Sequence, residues 1–394
     1  MPRWRKCGRG GQGGSLAGGI DCDVNVETDD PDGVNRPHDR AGATTRPNRS
    51  RCTRPFGSLT DTPSVGPMET RRLGKTGWDA SVIGFGAWAI GADWGQADDD
   101  TSRAALRAAA ASGVNFFDTA DVYGDGRSER LVAELRKELS DPIFVATKAG
   151  RRAPAQRVEH YSPENLVAWV GRSRENLEME TLDLVQLHCP PTDLYYHPEV
   201  FAALDDLVSA GTIAHYGVSV ERVEEALKAL DYPGVATVQI IYNIFRQRPA
   251  ERFLAAARDA GVGVIVRVPL ASGLLTGKMT RETQFAADDH RNYNRHGEAF
   301  DVGETFSGVD LETGLAAVDQ LRDLVAPGET MAALALRFCL SDPGVSTVIP
   351  GAKNPDQARQ NAAAGELGPL DVPTLGRLAE IYRVRIAPEV HNRW

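Results

Sequence analysis

Short apolar runs alternate with amphipathic stretches along most of this chain, beginning near residue 68. The runs Val82–Phe85, Val114–Phe117, Ile143–Ala146, Leu184–Leu187, Ile213–Val218, Thr237–Ile241, Val262–Val268 and Ser346–Ile349 are too short for helices and read as buried strands. Between them lie helical patterns at about Asp99–Ala111, Ser128–Leu139, Ser162–Glu178, Glu199–Ser209, Glu221–Leu230, Ala250–Ala260 and, after the last strand, Pro355–Ala363. Ser128 and Ser162 are the expected caps of their helices, the second with Pro163 in the first turn. Ahead of the first strand, Arg71–Leu73 and Asp79–Ser81 flank Gly74-Lys75-Thr76-Gly77, the pattern of a hairpin. Eight strand–helix units in order predict an α/β fold, a closed (β/α)8 TIM barrel with an N-terminal β-hairpin.

Two segments break the alternation. Between strand seven and a helix near Thr330–Leu340, the long loop Gly273–Val309 is rich in Gly, Asp and Asn, and Leu311–Val325 reads as an extra helix. Loops of that length usually serve as lids or binding loops. Residues 1–67 show neither periodicity and are rich in Gly, Arg, Asp, Pro and Thr, so the expectation is a disordered extension before a barrel domain over 68–394. Patterning begins so abruptly at Met68 that it reads as the true initiator, with the preceding residues a mis-called start.

Charge and composition narrow the function. A net charge of −10 argues against a nucleic-acid binder. No apolar stretch is long enough to span a bilayer, and the N-terminus lacks the apolar core of a secretory signal, so a cytoplasmic protein is expected. The five cysteines have no metal-ligand spacing and fit a reducing compartment. Cys189 adjoins His188, but neighbours at a strand end point to opposite faces, which favours a plain thiol over a Cys–His nucleophile.

The chemistry gathers at the strand ends. Asp118, Tyr123, Lys148 and His188 each follow an apolar run, and in a parallel barrel all those ends open on one face. Taken singly, each has a bland reading as a packed ring, a loop-capping carboxylate, a solvated charge or a satisfied histidine. Four together at one mouth make that reading poor. A Tyr beside a Lys suggests a phenol whose proton is made available by a cation.

The motifs G-F-G-A-W, F-F-D-T-A-D-V-Y-G, V-A-T-K, L-V-Q-L-H, H-Y-G-V-S, V-Q-I-I-Y-N, P-L-A-S-G-L-L-T-G-K and V-I-P-G-A-K stand in this order. Together they resemble the aldo-keto reductase superfamily over 68–394, nearer to bacterial members and potassium-channel beta subunits than to the mammalian aldose-reductase branch. The resemblance implies hydride transfer between NADPH and a small-molecule carbonyl compound, without a metal. Tyr123 would be the general acid, Lys148 would lower its pKa, Asp118 would hold Lys148 charged, and His188 would orient the carbonyl. Ser219 and Gln239 match positions that bind the nicotinamide carboxamide, although Val220 replaces the usual Asn. Ser272, Gly273, Leu275 and Lys278 match the loop around the pyrophosphate, and Gly351, Lys353, Gln357 and Asn361 the adenosine end. There the free backbone N–H groups of the last helix would favour a phosphate. Gln357 stands where many members carry Arg, so NADPH is preferred over NADH through Lys353. Arg267 replaces an aromatic residue that stacks on the nicotinamide; a guanidinium can stack too, or it can pair with an acid.

Trp88, Trp94 and Tyr242 match pocket-lining positions on the substrate side. Arg246, Arg248 and the polar run Asp288–His296 hint at a hydroxylated or anionic carbonyl compound. The alternative is a cofactor-binding regulatory or sensor subunit with slow turnover. A hydrolase on the same barrel would need paired carboxylates, and only Asp118 is evident. The oligomeric state is left open.

Overall fold

The structure, a computed structural model, describes residues 68–91 and 98–394. The expected extension over 1–67 and Trp94 lie outside the described residues. A hairpin of β1 (Thr70–Arg72) and β2 (Asp79–Ser81) precedes eight strands: β3 (Phe85–Gly86), β4 (Phe116–Asp118), β5 (Phe144–Ala149), β6 (Leu182–His188), β7 (Ile213–Ser219), β8 (Val235–Ile241), β9 (Gly263–Arg267) and β10 (Thr347–Val348). They pair in sequence order, all parallel, from β3 to β10. Parallel bridges Ile83–Val348 and Gly86–Gly351 join the ends of that order and close the barrel. The hairpin lies under the end opposite the mouth, where Trp78 stacks on Phe144 with ring centroids 4.6 Å apart. Gly74 has φ +51°, and a Cβ there would meet the backbone nitrogen of Gly263 at 2.0 Å, so only glycine allows this approach.

Strand alternation sorts the side chains. Leu73, Ala80, Phe116, Ala146, Leu184, Ile265 and Ile349 form a small buried cluster inside the barrel. The far larger cluster fills the layer between strands and helices. Two residues beyond the inner apolar positions, on the same strand face, come Asp118 after Phe116, Lys148 after Ala146, Gln186 after Leu184 and Arg267 after Ile265. The interior is therefore apolar below and polar at the C-terminal mouth.

The helices Asp99–Ala111 and Pro163–Leu177 form where the pattern placed them, and Ser162 caps the second by accepting from Asn165 N–H. Ser128 is not a cap. Gly126, with φ +83°, precedes the helix Arg127–Glu138, and Ser128 lies inside it. Its hydroxyl instead donates to Ala87 O at 3.0 Å and accepts from Thr119 at 2.8 Å, because a buried hydroxyl on the inner face finds its partners in the strand loops. The strands also run farther than their apolar runs. Asp118, Lys148 and His188 are strand residues, since the ladder continues through the pairs Lys148–Gln186 and His188–Ser219. The extra helix spans Leu311–Leu321 and ends in a 3-10 turn at Arg322–Leu324. A further helix, Val372–Ile381, was not anticipated; its Val372 is largely exposed, which blurs the apolar stripe. Among the described residues, no helix is long and apolar enough to cross a membrane.

Candidate active site

Strand ends β4, β5 and β6 bring Asp118, Lys148 and His188 together, and the turn after β4 adds Tyr123. The Lys148 ammonium donates to Asp118 Oδ1, to Thr119 O at 2.9 Å and to the Tyr123 hydroxyl at 3.4 Å. Asp118 Oδ2 accepts from Gln239 Nε2 at 2.7 Å and Gln186 Nε2 at 3.1 Å, so both carboxylate oxygens are engaged. With Asp118 and Lys148 at 3% and 1% side-chain exposure, such full partnering is what a buried charge pair needs. Burial lowers the Lys148 pKa, but the Asp118 charge, Tyr123 and the hydrogen bonds to both together outweigh it, and the ammonium is held above its ordinary value.

The Tyr123 phenol departs from the expectation. Burial raises its pKa, Lys148 pulls it down, and the net direction is upward. Lys148 acts in the expected sense but is outweighed by desolvation. The phenol is thus a firmly protonated donor. Its ring stacks on Trp88 at 6.2 Å and meets His188 edge-on at 5.9 Å. Burial and the nearby Arg151, Lys148 and Arg267 cations hold the His188 pKa well below its usual value. A neutral imidazole results, with one N–H to give and a buried Nδ1 that has no hydrogen-bond partner among the described residues.

Asp118, Tyr123 and His188, but not Lys148 behind them, line a cavity of 490 Å³ that reaches the helix Pro355–Ala364. Its lining includes Asp118, Tyr123, His188, Gln239, Arg267 and Trp88, then Ser272, Gly273 and Lys278 of the loop after β9, and Gly351, Lys353, Gln357 and Asn361 after β10. Leu275 and Ser219 are buried but are not among the lining residues. Ser219 Oγ instead lies 3.6 Å from Cys189 Sγ. Tyr242 is absent from the lining as well, because it alternates with inward-facing Gln239 and Ile241 and packs outward on Phe338 at 5.3 Å. The helix N-terminus is less open than expected, since Asn354 caps Gln357 N–H at 2.9 Å and Gln357 Oε1 accepts from Lys353 N–H at 2.8 Å.

Arg267 pairs with an acid, the second of the readings offered for it. It lines the cavity, and its Nη2 donates to Glu221 at 2.9 Å and Val220 O at 3.0 Å. Glu304, delivered by the long loop, lies 3.6 Å from Arg267 and pairs with Arg151. This Arg151–Glu304–Arg267–Glu221 network was not foreseen, because three of its members come from loops and only Arg267, at the end of β9, breaks an apolar run. Cys189, Glu221 and Glu304 converge closely enough to offer metal ligands. Two guanidiniums already neutralise those carboxylates, which disfavours a cation there. Burial and then Glu221 push the Cys189 thiol up to about 12, so it is no nucleophile.

The loop is more than a polar lid. Met279, Thr283, Gln284, Phe285, Arg291 and Glu304 all line the cavity. Arg291 pairs with Asp289 and lies 4.5 Å over Phe285. Burial and then Arg291 hold the Lys353 ammonium below its ordinary value, so two cations stand near each other there. Arg246 and Arg248 are not among the residues that line the cavity. Arg246 stacks on Trp394 at 4.0 Å, and Arg248 donates to the Trp394 carbonyl at 2.6 Å and pairs with Glu224.

Comparison with known proteins agrees with this geometry. The family model described as Aldo/keto reductase family matches residues 82–383. The chain is 34% identical over 296 residues to Aldo-keto reductase YhdN of Bacillus subtilis, covering 74% of this chain and 86% of that one. It is 30% identical over 321 residues to a probable voltage-gated potassium channel subunit beta of Arabidopsis thaliana, covering 78% and 94%. An NADH-specific methylglyoxal reductase of Escherichia coli is 28% identical over 315 residues, covering 75% and 93%. Among solved structures, the glycerol dehydrogenase AKR11B4 of Gluconobacter oxydans superposes with TM-score 0.64 at 29% identity, covering 83% of this chain and 97% of that one. An aldo/keto reductase from Klebsiella pneumoniae in complex with NADP and acetate superposes with TM-score 0.59 at 25% identity, covering 80% and 95%.

Proposed function

The chain belongs to the aldo/keto reductase family, and on that premise we propose that it reduces an aldehyde or ketone reversibly with NADPH, with Tyr123 as the general acid. The observation that carries this reading is a protonated phenol 3.4 Å from a buried ammonium, on a cavity of 490 Å³ that reaches the helix Pro355–Ala364. The bound dinucleotide supplies the hydride. The chain's own residues supply the rest. His188, kept neutral, offers an N–H to the carbonyl oxygen and aims it at Tyr123. The Tyr123 hydroxyl gives its proton as negative charge develops on that oxygen. Lys148, at hydrogen-bond distance, stabilises the phenolate that remains. Asp118, held by Gln186 and Gln239, keeps Lys148 in place and charged. In the direction of alcohol oxidation the same groups act in reverse.

The cavity suits the cofactor's charges. Gly273 has φ +93°, which lets the loop backbone pass close to a ligand, and Lys278 lies beside it on the lining. Burial and then Arg291 lower the Lys353 pKa against the opposing pull of Asp289 and Asp288, and an anionic group at this ammonium is favoured. That favours NADPH, which carries a 2′-phosphate, over NADH. A fluorescence titration is expected to give tighter binding of NADPH than of NADH, with the gap narrowing as salt rises. Tighter NADH binding would overturn the preference. Steady-state oxidation of NADPH across a panel of aldehydes then tests the enzyme itself.

Similarity to a channel beta subunit supports a second reading, a cofactor-binding regulatory subunit with slow turnover. It predicts uniformly slow NADPH oxidation on every aldehyde, whereas the reductase reading predicts at least one aldehyde turned over many-fold faster than the rest.

A further inference from the structure

Tyr123 lies on a turn that its own backbone holds weakly. Gly124, Asp125 and Gly126 follow it in succession with φ of +60°, +54° and +83°, and Asp125 is the one non-glycine among them. The turn's backbone hydrogen bonds are mostly local, such as Tyr123 N–H to Ala120 O at 3.1 Å and Ser128 N–H to Tyr123 O at 3.2 Å, and its bond to the Lys148 strand, Asp121 N–H to Lys148 O, is long at 3.5 Å. Lys148, by contrast, is fixed by Asp118 and Thr119 on the strand side. The contact between the two, at 3.4 Å, is near the limit for a hydrogen bond, so a displacement of about 1 Å ends it.

One side chain bridges the two loops. Arg152, four residues after Lys148, donates through Nη2 to the Asp121 carbonyl at 2.7 Å and to Asp125 Oδ1. Its Nε pairs with the Asp121 carboxylate at 3.1 Å. Asp121 and Asp125 stand on either side of Tyr123. Arg172, from the helix Pro163–Leu177, adds a second guanidinium to Asp125 at 2.6 Å. Asp121 is buried with no hydrogen bond to either carboxylate oxygen among the described residues, and Glu129 faces it from the helix Arg127–Glu138. Burial and Glu129 push its carboxyl up to about 7 against the opposing pull of Arg152 and Arg172.

We propose that Arg152 is a positioning residue that sets the Tyr123 phenol against the Lys148 ammonium by clamping the turn Ala120–Gly126 to the loop after β5. The proposal rests on the reading of Tyr123 as the proton donor. The fork matters: one planar guanidinium donates to the Asp121 carbonyl and the Asp125 carboxylate while its charge lies 3.1 Å from the Asp121 carboxylate, which an ammonium at the same place does not reproduce.

The test compares Arg152→Ala, Arg152→Lys and Tyr123→Phe in the full chain, with NADPH and methylglyoxal or another small aldehyde. Arg152→Ala is expected to slow single-turnover hydride transfer about 10²-fold, the cost of a misplacement of about 1 Å, while leaving NADPH affinity unchanged. Millimolar guanidinium is expected to restore part of that rate, and Arg152→Lys is expected to remain slow. A full rate in Arg152→Ala, with Tyr123→Phe inactive, overturns the clamp and leaves the proton-donor reading standing. Equal losses of rate and NADPH affinity without guanidinium rescue also overturn it, because they mark a merely structural residue. Full activity in Tyr123→Phe fells the underlying reading instead.

Discussion

Replacing Tyr123 with Phe is expected to cut carbonyl reduction by about 10²- to 10⁴-fold, the range for removing a positioned general acid. The substitution deletes one oxygen. The ring, its stacking on Trp88 at 6.2 Å and its edge contact with His188 at 5.9 Å can all remain. NADPH affinity, read by fluorescence, is therefore expected to stay close to that of the unaltered chain. The pH profile of the unaltered protein carries the same signature. Burial holds the phenol above its ordinary pKa of 10.0, so the rate of reduction should be level through neutral pH and fall only in alkaline solution. A Tyr123→Phe protein with the full rate would show that some other group gives the proton.

The second large effect falls on stability as well as rate. Lys148→Met removes the cation from a pair with 1% and 3% side-chain exposure and leaves Asp118 as a buried, uncompensated carboxylate. A loss of about 3–5 kcal/mol is expected, seen as a lower urea midpoint, together with loss of reductase activity. The double variant Lys148→Met, Asp118→Asn should recover much of the stability and none of the activity, because an amide needs no cation while the phenolate still lacks one. A single Lys148→Met variant as stable as the unaltered chain would contradict the geometry. Because the Lys148 pKa is raised on folding, its contribution to stability is full below the unfolded-state value of about 10.5. It is lost only as pH climbs through the still higher folded-state value. Acid should leave the Lys148 side of the pair charged.

Particular residues show how much was legible beforehand. Asp118, Lys148 and His188 were visible because each interrupts an apolar run, and apolar runs of that length in alternation with helices admit few architectures. Lys353, Gln357 and Asn361 were legible only through likeness of motif, yet they line the cavity. Tyr242 misled for a reason of parity: one position along a strand turned it from the mouth to the helices, where it meets Phe338. Arg246 and Arg248 lie off the cavity lining against Trp394, since a charged side chain after a strand looks the same in sequence whether it lines a cavity or meets a ring.

What the sequence by itself determined is the order of strands and helices, the closure into a barrel and the face on which the chemistry stands. Those follow from periodicity, which is a local property. The tertiary structure alone decided that Gln186 and Gln239 brace Asp118, that Glu304 reaches from the long loop to Arg151 and Arg267, and that Arg152 ties the Tyr123 turn to the Lys148 strand. It also decided the sign of the Tyr123 shift, because burial is a sum over every neighbour. Such contacts join residues tens to more than a hundred positions apart, and no pattern along the chain encodes which distant charge a buried group will meet.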